Sequence, residues 1–489
     1  MPQRVLIANR GEIACRILRT LRALGIGSVA VYTFEDRSAP HVALADQAVR
    51  LEAHAPSAAY LDQAQLIDAA RRTGAEAIHP GYGFLAESAA FAERVAAAGL
   101  TFIGPDAAVI RLMGDKIRAR AFAAEQGVAV APSARGDGEP AELAARAAAI
   151  GFPLLVKAAA GGGGKGMRTV QAAAELADAL HAAAEEAQRY FGDARVYLER
   201  RIETPRHIEV QVLGDGQGNV VHLFERECSL QRRYQKILEE SPAPNLPADK
   251  RAAICAAAVR LASAARYRNA GTVEFMLAPG GEFYFLEMNT RLQVEHPVTE
   301  LVLDVDLVAE QLRLAGGAGL SFAQEDLQPR GHAIECRICA EEPQQDFRPA
   351  TGRVQVLRVP QGPQLRFDGG IGVGQTVTPA FDSLLAKLIA HGDTRGEAAH
   401  SLERALRDLV LLGVPTNIDY LARLLRHPQF LAAELHTGFL EAHAAELREG
   451  GGGADAVAAA LVALLADVDF RRAAYEVPEP HASIGEWRN

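Results

Sequence analysis

The stretch Glu274-Phe-Met-Leu277, followed by Phe283-Tyr-Phe-Leu-Glu287-Met-Asn289-Thr-Arg291-Leu-Gln293-Val-Glu295-His296-Pro297, decides how this chain is read. Two apolar runs flank Pro279-Gly280-Gly281, the pattern of a β-hairpin. In a strand, Glu287 and Asn289 leave from the same face, and Glu274 on the partner strand can meet them. Three oxygen-bearing side chains on one face suit a hard cation such as Mg²⁺ carrying phosphate oxygens. Arg291, Gln293 and Glu295 continue the two-residue alternation, and Pro297 is expected to keep His296 extended. Alternating Glu and Arg often mark only a solvated sheet face. Here Phe275, Phe283, Phe285 and Leu286 make burial the expectation, and buried carboxylates persist only when paired or metal-bound. The segment outlines an active site.

A chain of 489 residues exceeds one compact core and suggests about three domains. Its apolar fraction, 49%, suffices for globular cores. A net charge of -10 argues against general nucleic-acid binding, while Arg232-Arg233 with Lys236 could still hold anions locally. The cysteines, Cys15, Cys228, Cys255, Cys336 and Cys339, are odd in number and scattered, which suggests reduced thiols in a cytoplasmic protein. Cys336-Arg-Ile-Cys339 has no second pair and lies in a strand-like run. Val5–Ala8 is too short an apolar run for a signal peptide. Ala456–Ala466, the longest such run, falls short of the roughly 20 residues a membrane helix needs. A soluble chain is expected, with neither nucleic acid nor membrane as partner.

Up to about residue 110, strands such as Val5–Ala8 and Ser28–Tyr32 alternate with helices such as Glu12–Leu24 and Leu61–Thr73. That rhythm predicts a doubly wound parallel sheet in an α/β chain, α+β overall. Such sheets bind ligands beyond their strand C-termini, where Asn9-Arg10-Gly11 and His79-Pro-Gly-Tyr-Gly83 fall. A second region spans 111–330 and contains the hairpin. A third, 331–447, mixes strands such as Ala333–Ile338 with helices such as Ala398–Leu411 in a mixed α/β domain. Residues 448–489 read as a Gly/Ala-rich linker (Gly450–Gly453) and a helical tail (Ala456–Ala466).

In the second region, Pro153-Leu-Leu-Val-Lys157 is a strand running into Ala158-Ala-Ala-Gly161-Gly-Gly-Gly164-Lys165-Gly166-Met167. Contiguous glycines leave backbone N–H groups free to wrap phosphate oxygens, and Lys157 and Lys165 bracket the anion. Lys165 is followed by Gly166, so this is not a Walker loop. Nor do contiguous glycines make a dinucleotide-binding fingerprint. A mobile glycine loop, phosphate lysines and a Glu…Glu-x-Asn metal site together resemble the ATP-grasp superfamily.

An ordered set of segments is more specific. It comprises Ile7-Ala-Asn-Arg-Gly-Glu-Ile-Ala14, His79-Pro-Gly-Tyr-Gly-Phe84, Arg111-Leu-Met-Gly-Asp-Lys116, Lys157 with its glycine loop and His207-Ile-Glu-Val-Gln-Val212. It continues with Glu225-Arg-Glu-Cys-Ser-Leu-Gln-Arg-Arg233, Glu287–Pro297 and Gly331-His-Ala-Ile-Glu-Cys-Arg337. Over residues 3–445 the chain resembles the biotin carboxylase family. The resemblance implies an N-terminal domain at 1–110, an ATP-grasp domain at 111–330 with a lid at about 131–203, and a C-terminal domain at 331–447. It implies ATP contacts from Lys116, Lys157, Gly163, Gly164, Lys165, Gly166, Glu199, His207, Gln231 and Tyr234. Mg²⁺ or Mn²⁺ would bind Glu274, Glu287 and Asn289; bicarbonate would bind Lys236, Arg291, Gln293 and Val294. Glu295 would be the general base, with Arg291, Lys236 and Arg337 completing the catalytic set. Tyr82 and Arg337 would face biotin.

The implied reaction is ATP- and bicarbonate-dependent carboxylation of biotin through carboxyphosphate. The chain lacks an Ala-Met-Lys-Met context, so biotin is expected on a carrier domain or protein, with a carboxyltransferase as a further partner and a homodimer or larger complex as the assembly. Arg16 and Arg19 read equally well as ordinary exposed helix positions. Tyr234 stands where many members of the family carry His, Lys165 where Arg is also common, and Asn269 where a small residue is usual. Another ATP-grasp ligase, of carbamoyl-phosphate type, would use the same loop and metal residues but leave Arg337 and His79–Tyr82 without a role. A non-catalytic nucleotide-binding regulator would not need Glu295 or Arg291.

Overall fold

Five short strands build the first sheet: β1 (Arg4–Ile7), β2 (Gly27–Tyr32), β3 (Gln47–Arg50), β4 (Ala77–His79) and β5 (Thr101–Phe102). The computed structural model describes residues 1–137, 139–160 and 166–448. The glycines and lysine at 163–165 and the expected linker and tail beyond Arg448 lie outside the described residues. The chain divides into two units, Met1–Ala444 and Ala445–Asn489; everything below concerns the first.

The five strands are parallel in the order β3-β2-β1-β4-β5, the doubly wound arrangement expected from the alternation. Val5, Leu6 and Ile7 are fully buried, as a parallel strand covered on both faces must be. The winding reverses between β1 and β4, which opens a crevice at their C-terminal ends. There the Asn9 amide donates to the carbonyls of Pro80 and Tyr82, both at 2.7 Å. Gly81, at φ +62°, passes so close that a Cβ would sit 2.9 Å from the Asn9 Nδ2.

A small antiparallel sheet follows, β6 (Ser133–Arg135), β7 (Leu154–Ala158), β8 (Met167–Val170) and β9 (Val196–Arg200), in the order β6-β9-β7-β8. It packs on helices Pro140–Ile150 and Leu176–Phe191 through Leu154, Val156, Leu180 and Leu198.

The largest element is an eight-stranded sheet. Its members are β10 (Arg206–Asp215), β11 (Val220–Arg232), β12 (Gln235–Ser241), β13 (Arg268–Leu277), β14 (Phe283–Asn289), β15 (His332–Cys339) and the strands Leu384–Gly392 and Leu365–Gly369. The spatial order is β14-β13-β10-β11-β12-β15, then Leu384–Gly392 and Leu365–Gly369. One face carries Ile208, Val210, Val212, Val273, Phe275 and Phe285 onto helix Ala248–Ala264. The other face carries the buried polar residues His207, Glu209, Gln211 and Glu274, with Ala333 and Ile389 packed on Val298 and Val302 further along.

Two expectations about elements are corrected. The helix expected to run to Leu411 is Arg395–Asp408, and Val410–Leu412 is a strand paired with Val356–Arg358. A capping box between Thr394 and Glu397 starts that helix, and the apolar, β-branched end of the run finds a strand partner instead. Arg16, open to reading as an exposed position, is buried and ion-paired with Glu300 and Asp306.

No helix among the described residues is long and apolar enough to cross a membrane. Burial holds the His79 imidazole down at about 3, against a hydrogen bond to Gln311, while an unfolded histidine titrates near about 6.5. Between those values only the unfolded chain takes the proton, so the stability His79 contributes is intact above about pH 6.5 and is lost as pH falls. The melting-temperature gap between wild type and His79→Asn is expected to narrow from about pH 7 to about pH 4. A gap independent of pH in a thermal-shift series contradicts this.

Candidate functional site

Residue parity along β10 sorts the side chains. Ile208, Val210 and Val212 go to the core, while His207, Glu209 and Gln211 go to the polar face. Register carries that face across the sheet: Glu209 lies opposite both Arg226 on β11 and Glu274 on β13, and Glu274 lies opposite Glu287 on β14. Gln211, Thr272 and Asn289 form the next row. Glu274, Glu287 and Asn289 are thereby brought together, as the two-residue spacing predicted.

Two irregularities adjust the pattern. Between β13 and β14, Glu274 faces Glu287 but Phe275 faces Phe285, which leaves Leu286 as an extra residue. The bulge sends Phe285 to the core and Glu287 to the site. Between β11 and β12, Leu230 faces Leu238 but Gln231 faces Lys236. The extra residue on β12 lets Lys236 and Glu239, an odd number of positions apart, serve the same face.

Lys236 Nζ donates to Glu209 Oε2 at 2.5 Å, Glu274 Oε1 at 3.0 Å and Glu295 Oε1 at 2.6 Å. Burial opposes the ammonium, but those three carboxylates hold its pKa well above the ordinary lysine value. Burial likewise favours neutral Glu295 and Glu274, and the Lys236 charge reverses that, holding both well below the usual carboxylate range. Arg337 helps at Glu295, donating to its Oε2 at 2.9 Å. His207 helps at Glu274, where its Nε2 lies 3.0 Å from Oε2. The Asn289 and Gln293 amides donate to Glu274 Oε1 at 2.7 and 2.8 Å. Arg291 donates to Glu87 Oε2 and Asn289 Oδ1, both at 3.0 Å. The Val294 carbonyl accepts from Lys387 at 2.6 Å.

Arg226 ties this layer together. It is fully buried, and its donors reach Glu209 Oε1 (2.5 Å), Gln211 Oε1 (2.9 Å), Thr299 Oγ1 (3.0 Å), Thr272 Oγ1 (3.1 Å) and Gln293 Oε1 (2.5 Å). All five guanidinium N–H groups have partners. Because Arg226 holds the Gln293 oxygen, the Gln293 NH₂ is aimed at Glu274.

Beside this layer, Lys116 pairs with Glu287, and Glu199 pairs with Lys157 and Arg120. Burial lowers Lys116 to about 8, Lys157 adding to the effect. The Gln231 amide lies 2.9 Å from His207 Nδ1. Gly166 takes φ +69° against Ala158. Tyr82 donates to Glu12. Tyr234 sits on the β11–β12 turn at φ +66° and is 57% exposed, apart from the buried cluster.

The expectation for 291–297 is corrected. The strand stops at Asn289, and His296–Leu303 is a helix with Pro297 in its first turn. There a proline's missing N–H leaves nothing unsatisfied, and burial of Val298 and Val302 outweighs the extended bias on His296. Arg291, Gln293 and Glu295 converge through a turn rather than by alternation. Glu209, Arg226, Glu87, Glu239 and Lys387 were not singled out as site residues. The alternation of His207-Ile-Glu-Val-Gln-Val212 could have flagged Glu209; the others are set by pairing between distant segments.

Glu274, Glu287 and Asn289 fit a hard divalent cation: two carboxylates in register and an amide one step along, all oxygen donors. The neighbouring lysines suit phosphate oxygens, and Lys236, Arg291 and Arg337 surround Glu295 with cations suited to a small oxyanion.

Comparison with known proteins gives three consecutive family matches. "Biotin carboxylase, N-terminal domain" covers residues 1–110, "Carbamoyl-phosphate synthase L chain, ATP binding domain" 115–323 and "Biotin carboxylase C-terminal domain" 335–442. A biotin carboxylase from Nostoc is 48% identical over 442 residues, covering 90% of this chain and 98% of that protein. The methylcrotonoyl-CoA carboxylase subunit alpha of Arabidopsis thaliana is 47% identical over 448 residues, 91% of this chain and 61% of the longer subunit. The biotin carboxylase domain dimer of Hydrogenobacter thermophilus 2-oxoglutarate carboxylase, solved with MgADP, ADP and bicarbonate, superposes with TM-score 0.89 at 42% identity, covering 92% of this chain and all of that one. A Campylobacter jejuni biotin carboxylase–β,γ-ATP complex gives 0.88 at 39%, covering 91% and 99%.

Arg226→Met leaves buried Glu209, Gln211 and Gln293 without their donor. It is expected to cost about 3–5 kcal/mol in urea unfolding. Arg226→Lys, a point charge without the planar fork, should recover only part of that. A loss below about 1 kcal/mol for Arg226→Met would show the hub to be dispensable.

Proposed function

The chain belongs to the biotin carboxylase family and is a ligase that carboxylates biotin at the cost of ATP and bicarbonate; we propose that the polar face of the eight-stranded sheet carries that reaction. The observation that supports this most directly is the chain Lys236–Glu295–Arg337, centred on a buried carboxylate and placed next to the Glu274–Glu287 pair.

Bicarbonate binds among Lys236, Arg291, Gln293 and the Val294 backbone, and Arg291 offers a planar fork matched to a carboxylate-shaped anion. Glu295, ionised and held by Lys236 and Arg337, takes the bicarbonate proton as the oxygen attacks the γ-phosphate. Lys116, Lys157, Glu199, His207, Gln231, Tyr234 and the loop from Gly163 through Gly164 and Lys165 to Gly166 position ATP. Glu274, Glu287 and Asn289 would hold Mg²⁺ or Mn²⁺, which when bound neutralises charge on the transferring phosphoryl group. Carboxyphosphate then releases CO₂ beside the biotin ring, where Tyr82 lies. The phosphate left by carboxyphosphate takes the biotin N1 proton, N1 forms its bond to the CO₂ carbon, and Arg337 supplies the fixed positive charge for the ureido oxyanion formed between those events.

The family works with biotin on a carrier and with a carboxyltransferase. We assign the same partners here, with biotin presented on a carrier domain or protein and the chain acting as a homodimer or within a larger acyl-CoA carboxylase. The all-free and mostly buried cysteines support a reducing, cytoplasmic setting. The carbamoyl-phosphate alternative gains nothing from the central match, because biotin carboxylase domains flank it on both sides.

Glu295→Gln keeps the shape but removes the base. Bicarbonate-dependent ADP release in the presence of free biotin should fall about 10²–10⁴-fold in kcat, with ATP still bound. Equal rates for the two proteins, or ammonia-dependent turnover indifferent to biotin, would overturn the assignment.

A further inference from the structure

We propose that Glu239 and Glu335 share one proton across the sheet, and that this carboxyl pair is the positioning element that aims Arg337 at the reaction centre. The inference deepens the proposed function and rests on Arg337 being the cation that meets biotin.

Glu239 on β12 and Glu335 on β15 are direct register partners, so their side chains rise from one face about 4.5–5.5 Å apart at Cβ. Arg337, two residues along β15, shares that face, and Lys387 lies opposite Arg337. Glu239 Oε1 accepts from Arg337 Nε at 2.6 Å and Nη2 at 2.5 Å. The other oxygen, Glu239 Oε2, is buried with no hydrogen-bond partner, and so are both oxygens of Glu335, a residue with no exposed surface.

The charged groups facing the pair are Arg337, Glu295, Lys236, Lys387 and Glu12. No cation among them donates to Glu335. Arg337 is held by Glu239 and Glu295, Lys236 by three other carboxylates, and Lys387 by the Val294 carbonyl, with Glu12 at 3.4 Å. A carboxylate buried without a donor is untenable. Glu335 therefore retains its proton, and the free acceptor across from it is Glu239 Oε2. Burial pushes Glu335 well above the carboxylate range, against Lys387 and with the Glu239 charge adding, and pushes Glu239 up to about 7 against Arg337.

With one oxygen fixed by the Glu335 O–H and the other by the guanidinium, Glu239 cannot rotate. The pair contributes one negative charge instead of two, carried by Glu239 on the neighbouring strand, so Arg337 is anchored by one carboxylate with no second anion from the pair competing for it.

Infrared difference spectra of the full chain at neutral pH, wild type minus Glu335→Gln, should contain the carbonyl stretch of a protonated carboxylic acid. Its absence overturns the shared proton whatever the activity. Glu335→Gln, which keeps a neutral donor, should hold the KM for biotin within about threefold of wild type, whereas Glu335→Met should raise it about tenfold with the KM for ATP in place. Equal biotin KM values for the two variants overturn the positioning role. Glu239→Gln gives the same test from the other strand: it should raise the biotin KM yet shift, rather than abolish, the acid band, and loss of the band in this variant contradicts the pair. If wild type shows no biotin stimulation, the role of Arg337 falls, and the infrared band alone decides whether the proton is shared.

Discussion

Lys236 reaches Glu209, Glu274 and Glu295 at 2.5, 3.0 and 2.6 Å, and Arg226 and Arg337 each hold one end of that set. Glu209, Glu274, Glu295 and Arg226 are buried and Lys236 and Arg337 are largely so, and desolvating a charge costs several kcal/mol before any partner is counted. The cluster is tenable only as a whole. Replacing a single member leaves its neighbours charged and unpaired in a low-dielectric layer. That interdependence explains why the functional face is also a stability element. The polar side of the sheet is fixed by ion pairs, much as its reverse side is fixed by Phe275, Phe285 and helix Ala248–Ala264.

The backbone makes the cluster possible by breaking its own regularity twice. A strictly alternating β14 would have placed Phe285 on the same face as Glu287, and a bulge at Leu286 prevents it. A strictly alternating β12 would have sent Lys236 and Glu239 to opposite faces, and the register shift at Ile237 brings both to Glu295 and its partner Arg337. Each bulge sits beside the site and re-aims one charged side chain, at the cost of one unpaired ladder position.

The parallel N-terminal sheet was legible because the βαβ rhythm and its polar turns are local features. The meeting of Glu274 with Glu287 and Asn289 was legible for a similar reason: one hairpin, with a short turn, sets it. Extending the alternation past Asn289 failed, since the chain leaves the sheet there and Pro297 opens a helix. Arg226, Glu239, Glu335 and Lys387 were out of reach. Their partners come from segments fifteen or more residues away, and only the order β10-β11-β12-β15, continued by Leu384–Gly392, shows which residues face one another. The strand His332–Cys339 mixes Glu335 and Arg337 with apolar residues, so nothing local distinguishes Glu335 from a charged residue on an exposed edge.

A general base works best when its pKa lies near the working pH, and Glu295 does not meet that condition at rest, because Lys236 and Arg337 hold it well below the carboxylate range. The same two cations are the ones assigned to the reacting anions. In the reaction proposed here, bicarbonate drawing on the charge of Lys236 would weaken its hold on Glu295 and make the carboxylate a stronger base just where the proton must be taken. A ureido oxyanion engaging Arg337 would loosen the second hold in the same way. Base strength would thus be coupled to occupancy through shared cations, without any movement of the sheet that carries them. The coupling also accounts for Arg337 having a second, separate anchor in Glu239: a cation that must release Glu295 in favour of substrate needs another carboxylate to stay in place.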